Sequence, residues 1–159
     1  MDCRNRTVCI RKILRSISDD PIADIKRLFE RVIFHCMIGN ADAHLKNYSL
    51  LYHDGLQHVR LAPAYDILST VLYSETTRDM SFQVGDVYDL RAVDRATICN
   101  AAKECDVSVG VVNEIMDRFF DRFMPSLSKA EDTLAAQGFS KARQMADAIR
   151  KARLLGRNT

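Results

Sequence analysis

Tryptophan is missing from the 159 residues, and proline and glycine are scarce, at three and six copies. So few prolines argue against long disordered linkers. The six glycines are scattered, which leaves no glycine-rich loop of the kind that cradles phosphates. Five cysteines (Cys3, Cys9, Cys36, Cys99 and Cys105) form no CxxC pair and no zinc-ligand spacing. Cys36 and Cys99 lie among apolar residues and read as small core hydrophobes. No apolar run approaches the length of a membrane span, and the N-terminus has no signal-peptide hydrophobic region. With an odd cysteine count and no disulfide framework, the expected location is the cytoplasm. A strong excess of one charge is also lacking. The net charge of +2 is too small to imply nucleic acid. Cations do gather at the two ends (Arg4, Arg6, Arg11, Lys12, Arg15; Arg150, Lys151, Arg153, Arg157). Solvated helix faces and a polar tail account for them, so direct DNA binding is not expected.

What is present suits one globular domain. Hydrophobic residues make up 47% and charged residues 28%, enough to bury a core. From Pro21 onward Ile22, Ile25, Phe29, Val32, Ile33 and Cys36 recur at helical steps. Proline suits the first turn, Asp19 or Asp20 can cap it, and Gly39 is a natural terminator. A shorter helix is expected over Val8–Ile17. Residues 48–52 and 58–61 read as two strands of a hairpin around Asp54-Gly55. The chain should then be irregular to about Asp94, with short pieces around Leu72 and Phe82. Helices follow: one from Asp94 to Asp106, and one capped by Ser108 that buries Val112, Ile115, Met116, Phe119, Phe120 and Phe123 and ends at Pro125. Ser128-Lys-Ala-Glu131 fits a capping box opening a further helix closed by Gly138, and Ser140 opens the last, to about Leu155.

The chemistry concentrates in Gly39-Asn-Ala-Asp-Ala-His-Leu-Lys-Asn47, just after a helix with a buried face. So many polar groups beside a hydrophobic core are costly unless they bind one another or a ligand. Asp42 and Asn47 have the spacing of the base and the metal-holding asparagine of a kinase catalytic loop. In such a site a second aspartate arrives from a later strand. A hairpin that leaves at Asn47 and returns near Ala62 brings Asp66 back beside Asn47. Taken singly, each of these residues could equally satisfy a turn or cap a helix. His35 reads as a core histidine, and His53 and His58 as exposed hairpin residues. A metal-hydrolase set of His35, Asp42 and His44 lacks a third imidazole or a paired carboxylate.

At these residues the chain resembles the C-terminal kinase lobe of the HipA-like toxin serine/threonine kinases. The resemblance rests on Ile38-Gly39-Asn40, on Asp42-x-His44-x-Lys46-Asn47-x-Ser49, and on Leu61-Ala-Pro-Ala-Tyr-Asp66 followed by Ser69. The Asp-x-His-x-x-Asn core is also similar to the catalytic loop of phosphoinositide lipid kinases. The resemblance implies a mainly α fold with a small β-hairpin (α+β), the helical C-lobe of a protein-kinase-like fold without its N-lobe. It implies Asp42 as catalytic base and Asn47 and Asp66 as magnesium ligands and cofactor-binding residues. His44 and Lys46 would orient the loop or steady phosphate charge, and the cofactors would be Mg2+ and ATP. On this reading residues 1–20 are a short N-terminal segment and residues 21–159 the lobe. The lobe comprises a catalytic loop (39–49), a hairpin (48–61), a metal-ligand segment (61–70) and C-terminal helices (94–155).

A complete kinase also needs a glycine-rich loop and a strand lysine. Residues 1–20 are too few for a nucleotide lobe, so the chain is expected to be a C-lobe inactive alone. Its expected partner is an antitoxin or a separately encoded N-lobe, with a protein as substrate. The alternative is a non-catalytic helical module that binds an antitoxin or another protein. A lobe without its other half is also expected to expose apolar surface and to self-associate or be poorly soluble.

Overall fold

A computed structural model describes residues 6–152 and 154–156 of the chain. Five α-helices and two antiparallel hairpins follow one another along the described residues. They are α1 (Arg6–Ile17), α2 (Pro21–Ile38), β1 (Leu50–His53), β2 (His58–Leu61), β3 (Asp79–Val84), β4 (Val87–Asp89), α3 (Arg95–Glu104), α4 (Val109–Ala136) and α5 (Ala142–Ala152). The mainly α, α+β architecture expected from the sequence is the one observed.

Helix α2 forms the centre. Asp20 caps it, its carboxylate accepting the Ala23 N–H at 3.1 Å, with Pro21 in the first turn. Leu28, Phe29, Val32, Ile33, Cys36 and Met37 are all buried. The expected stripe included Ile22, but that residue is 84% exposed. Around α2 sit Ile10 and Leu14 of α1, Met80, Phe82 and Val84 of β3, Ile98 and Ala102 of α3, and Val112, Ile115 and Met116 of α4. Strand β3 alternates, with Met80, Phe82 and Val84 turned inward, as a strand with one covered face should. Burial of this set is the main stabilising term, at about 1.5–3 kcal/mol for each fully covered aliphatic or aromatic side chain.

The short pieces expected around Leu72 and Phe82 are present, and the segment from Asp66 to Asp94 has further order beside them; the helix expected to end at Pro125 needs correction. Short 3-10 turns occupy Thr70–Leu72 and Leu90–Ala92, and the strand around Phe82 pairs with β4 across Gly85-Asp86. Gly85 has φ of 60°, which such a tight turn requires. The helix begun at Ser108 does not stop at Pro125. It runs 28 residues to Ala136 with Pro125 inside it. Beyond the proline, α5 packs along the same helix. Arg150 donates to Glu131 at 2.6 Å and to Ser128 Oγ at 3.2 Å. Ser128 and Glu131 therefore serve a helix–helix contact, not a capping box, and that packing outweighs the backbone donor lost at the proline.

The first hairpin is fixed to α2 by two carboxylates. Asp19 accepts the Val59 N–H at 2.6 Å and returns its own N–H to the Val59 carbonyl at 3.0 Å. Asp24, with no exposed surface, accepts from Leu61 N–H (2.8 Å), Ser18 Oγ (2.7 Å), Arg60 Nε and Nη2 (3.1 Å each) and Arg27 Nη1 (3.0 Å). Burial opposes its charge, but the Arg60, Leu61 and Ser18 hydrogen bonds prevail and hold the carboxyl down at about 2. Because Leu61 is fixed in this way, so is the place from which the chain sets out toward Asp66.

Candidate active site

Gly39 begins the site. It ends α2 in the left-handed region at φ 75°, where a side chain would be strained. A Cβ there would also meet Val71 Cγ1 at 2.4 Å and Leu154 Cδ1 at 2.7 Å. The helix therefore stops, and residues 40–49 form a loop with one 3-10 turn, Leu45–Asn47.

The loop is held from below by His35. This histidine is 6% exposed, and its Nδ1 lies 3.1 Å from the Asn40 amide nitrogen. Desolvation, with the nearby Arg31 cation, lowers its pKa to about 4. The ring is therefore neutral near pH 7 and its Nδ1 accepts the amide proton. Asn40 is buried in turn, and its Oδ1 accepts the Asp42 N–H at 3.1 Å. Asp42 is exposed at the edge of an open cleft of about 460 Å3, also lined by Leu68, Thr70, Asp79 and Ser81.

Asn47 and Asp66 meet. The buried Asn47 donates from Nδ2 to Asp66 Oδ2 at 2.8 Å, and its Oδ1 accepts the His44 N–H at 3.1 Å. Asp66 has φ of 54°, a left-handed conformation that aspartate tolerates better than most residues. On the same side, the Tyr65 hydroxyl bonds the Lys46 carbonyl and lies 2.5 Å from Ser49 Oγ, while the Ala62 N–H donates to the Ser49 carbonyl at 2.9 Å. Arg31 of α2 donates to the Ala62 carbonyl. The loop and the returning segment are thus bonded at several points.

Of the five residues singled out in the sequence, the structure brings the side chains of Asn47 and Asp66 into contact. His44 takes part through its backbone N–H; its half-buried ring leaves Nδ1 with no hydrogen-bond partner among the described residues. The Lys46 side chain is exposed. Asp42 faces the cleft. His35, Asp42 and His44 form no metal cluster, since no group of three or more His, Cys, Asp or Glu suited to a metal occurs among the described residues. Sequence reasoning missed Thr70, Ser81 and Tyr65, which fasten the loop. Of these, only Tyr65 lies inside a recognised motif, and nothing local marks a hydroxyl as a long-range tether.

Asn47 and Asp66 supply the kind of donor magnesium takes, an amide carbonyl and a carboxylate on two bonded segments. In this structure the amide turns its nitrogen to Asp66 and its oxygen to the His44 N–H, so holding a shared cation would require the amide to rotate. Magnesium retains waters and takes phosphate oxygens, so two protein ligands suffice.

Comparison with known proteins places this arrangement. The HipA-like C-terminal domain matches residues 6–152. The chain belongs to that family. Two relatives from Sinorhizobium fredii, Y4mE and Y4dM, are provisionally named as kinases. They are 35% and 30% identical over 123 and 122 residues, covering 77% and 70% of this chain but 29% and 30% of their own lengths. The serine/threonine-protein kinase toxin HipA of Shewanella oneidensis is 28% identical over 75 residues, covering 46% of this chain and 17% of the toxin. In a solved complex of Shewanella oneidensis HipA with HipB and operator DNA, one chain superposes with a TM-score of 0.76 at 17% identity. That match covers 94% of this chain and 34% of the other. At that identity the likeness shows the HipA-like fold. The chain spans about a third or less of the proteins it matches.

Proposed function

We propose that this chain is the base- and metal-bearing lobe of a HipA-type serine/threonine protein kinase, which transfers the γ-phosphoryl group of ATP to a hydroxyl of a protein substrate. The observation that carries this reading is the 2.8 Å contact between Asn47 and Asp66, next to a loop that holds Asp42 at the edge of an open cleft. In this reading Asp42 accepts the proton of the attacking hydroxyl, and Asn47 and Asp66 hold the magnesium. Bound Mg2+ would neutralise charge developing on the phosphate oxygens. His44 orients the loop through its backbone N–H, and the exposed Lys46 steadies phosphate charge. The lobe spans residues 21–159, with the preceding segment packed on it through Ile10 and Leu14 of α1.

Positioning of well-oriented reactants can contribute about 7–11 kcal/mol to such a reaction. No glycine-rich loop occurs in the sequence to position the nucleotide. The chain alone is therefore inactive and works with a nucleotide-binding lobe. Its other partner is an antitoxin of the kind that accompanies the HipA neighbour. Among the described residues Cys36, Cys99 and Cys105 form no disulfide, which suits the reducing cytoplasm. No helix among the described residues is long and apolar enough to cross a membrane.

The test is transfer from γ-labelled ATP. The purified chain with Mg2+ gives none, and addition of a nucleotide lobe from a HipA-type kinase restores it. Asp42→Asn then lowers the restored rate by on the order of 10²–10⁴-fold. Asp42-dependent transfer by the chain alone would refute the need for a second lobe, and a restored rate indifferent to Asp42 would refute the base assignment. A second reading, a non-catalytic module that binds an antitoxin or other protein, draws on the exposed Leu51, Tyr52 and Leu56 of the first hairpin. Capture of a partner that ignores substitutions at Asp42, Asn47 and Asp66 would favour it.

A further inference from the structure

We propose that Thr70 is a positioning residue that sets Asp42 for proton transfer by joining the loop that carries Asp42 to the segment that carries Asp66. The proposal rests on the kinase reading above. Thr70 is 4% exposed, which is uncommon for a polar residue on an otherwise irregular segment. Its hydroxyl is used in both directions: Oγ1 donates to the Gly39 carbonyl at 2.8 Å and accepts the Ala41 N–H at 3.1 Å. The Thr70 N–H donates to the same Gly39 carbonyl at 2.8 Å. One side chain thus spans the Asn40 turn immediately before Asp42. The neighbouring Ser69 adds a bond from Oγ to the Ile38 carbonyl at 2.5 Å.

Ala41 is held on its other side too. Its carbonyl accepts the Ser81 N–H at 3.0 Å and lies 3.3 Å from Ser81 Oγ. With the local Asn40 bond to the Asp42 N–H, the backbone entering Asp42 is fixed from within its loop and by two other segments. Thr70, with its neighbour Ser69, belongs to the stretch that directly follows Asp66. It also lines the same cleft as Asp42. Movement of the metal-side segment therefore reaches the turn before Asp42 through Thr70, whose hydroxyl is the group that bonds the Ala41 N–H. A base acts only within hydrogen-bond reach of its proton, and a displacement of about 1 Å by a remote change can cost about 10²-fold in rate.

The hydroxyl and the methyl of threonine can be tested separately. Thr70→Val keeps the shape but leaves the Ala41 N–H buried and unpaired; Thr70→Ser keeps the hydroxyl. In the full chain, amide exchange read by NMR should accelerate at Ala41 and Asp42 by at least about tenfold in Thr70→Val, and far less in Thr70→Ser. In the reaction complemented by a nucleotide lobe, Thr70→Val should lower kcat by about 10–100-fold with KM for ATP within about twofold, and Thr70→Ser should stay within about threefold of the unmutated chain. Unchanged exchange at Ala41 in Thr70→Val, or a loss in Thr70→Ser equal to that in Thr70→Val, would overturn the proposal. If the unmutated chain transfers no phosphate even with the nucleotide lobe added, the kinase reading fails, and the exchange measurement still decides whether Thr70 fixes the Asp42 loop. If Thr70→Val does not fold, a rate loss in Thr70→Ser overturns the proposal, and retention of rate with slow Ala41 exchange supports it.

Discussion

The Asn47 amide donates to the Asp66 carboxylate at 2.8 Å although the two residues stand 19 positions apart. The hairpin between them begins three residues after Asn47 and ends five before Asp66, so its antiparallel register, Leu50 opposite Leu61, decides the meeting. Two bonds to Asp19 and three to Asp24 hold that hairpin at the start of α2.

Metal affinity should report this contact directly. Asp66→Asn is the informative change, because asparagine tolerates the left-handed backbone at φ 54° and keeps the side chain's size while removing the charge and one acceptor oxygen. We expect it to weaken Mn2+ binding, used in place of Mg2+ and followed by electron paramagnetic resonance, by on the order of tenfold or more. Equal affinity in the variant and the parent would remove Asp66 from the site.

Asp24 should be the costliest polar residue to change. Five donors converge on a carboxylate with no exposed surface, and Asp24→Ala leaves the buried Leu61 N–H and the Arg60 side chain without their partner. A loss of about 3–5 kcal/mol is expected in urea unfolding. A loss under 1 kcal/mol would mean that water replaces Asp24 and that it does not anchor the hairpin.

Acid should unfold the protein in two stages of the same sign. His35 has its folded pKa lowered from 6.5 to about 4, so the unfolded chain binds the extra proton between those values. Its neutral form is fully favoured above pH 6.5, and stability falls as the pH drops toward 4, by roughly 3 kcal/mol. Asp24 is lowered from 3.8 to about 2, so its contribution is present above 3.8 and is lost as the pH falls through 2. His35→Phe should flatten the stability profile between pH 6.5 and 4 and leave the lower stage in place. An unchanged slope in that window would remove His35 as its source.

Pro125 should be a site of easy stabilisation. It lies inside a 28-residue helix whose packing against α5 continues beyond it. Proline in a helix interior costs about 3 kcal/mol, part of it recovered by local bending. Pro125→Ala is expected to raise stability by about 1–3 kcal/mol, read as a higher urea midpoint at unchanged slope. A neutral or destabilising result would show that the helix needs its bend there.

Much of this protein is set by neighbours in sequence. Periodicity located α2, Asp20 and Pro21 started it, Gly39 ended it, and Asp54-Gly55 turned the first hairpin, because each signal acts within a few residues through backbone geometry. The spacing of Asp42 and Asn47 named the loop, and the hairpin between Asn47 and Asp66 made their meeting legible. The course of α4 through Pro125 was not legible, because its deciding partner, Arg150, lies in another helix. Ile22 fits the apolar period yet faces solvent, because period does not say how far a packed layer extends. Asp24 and Thr70 look like ordinary polar residues in sequence. Only the tertiary structure shows one gathering five donors and the other closing the Asp42 loop, because a hydrogen bond between distant segments leaves no trace in either segment alone.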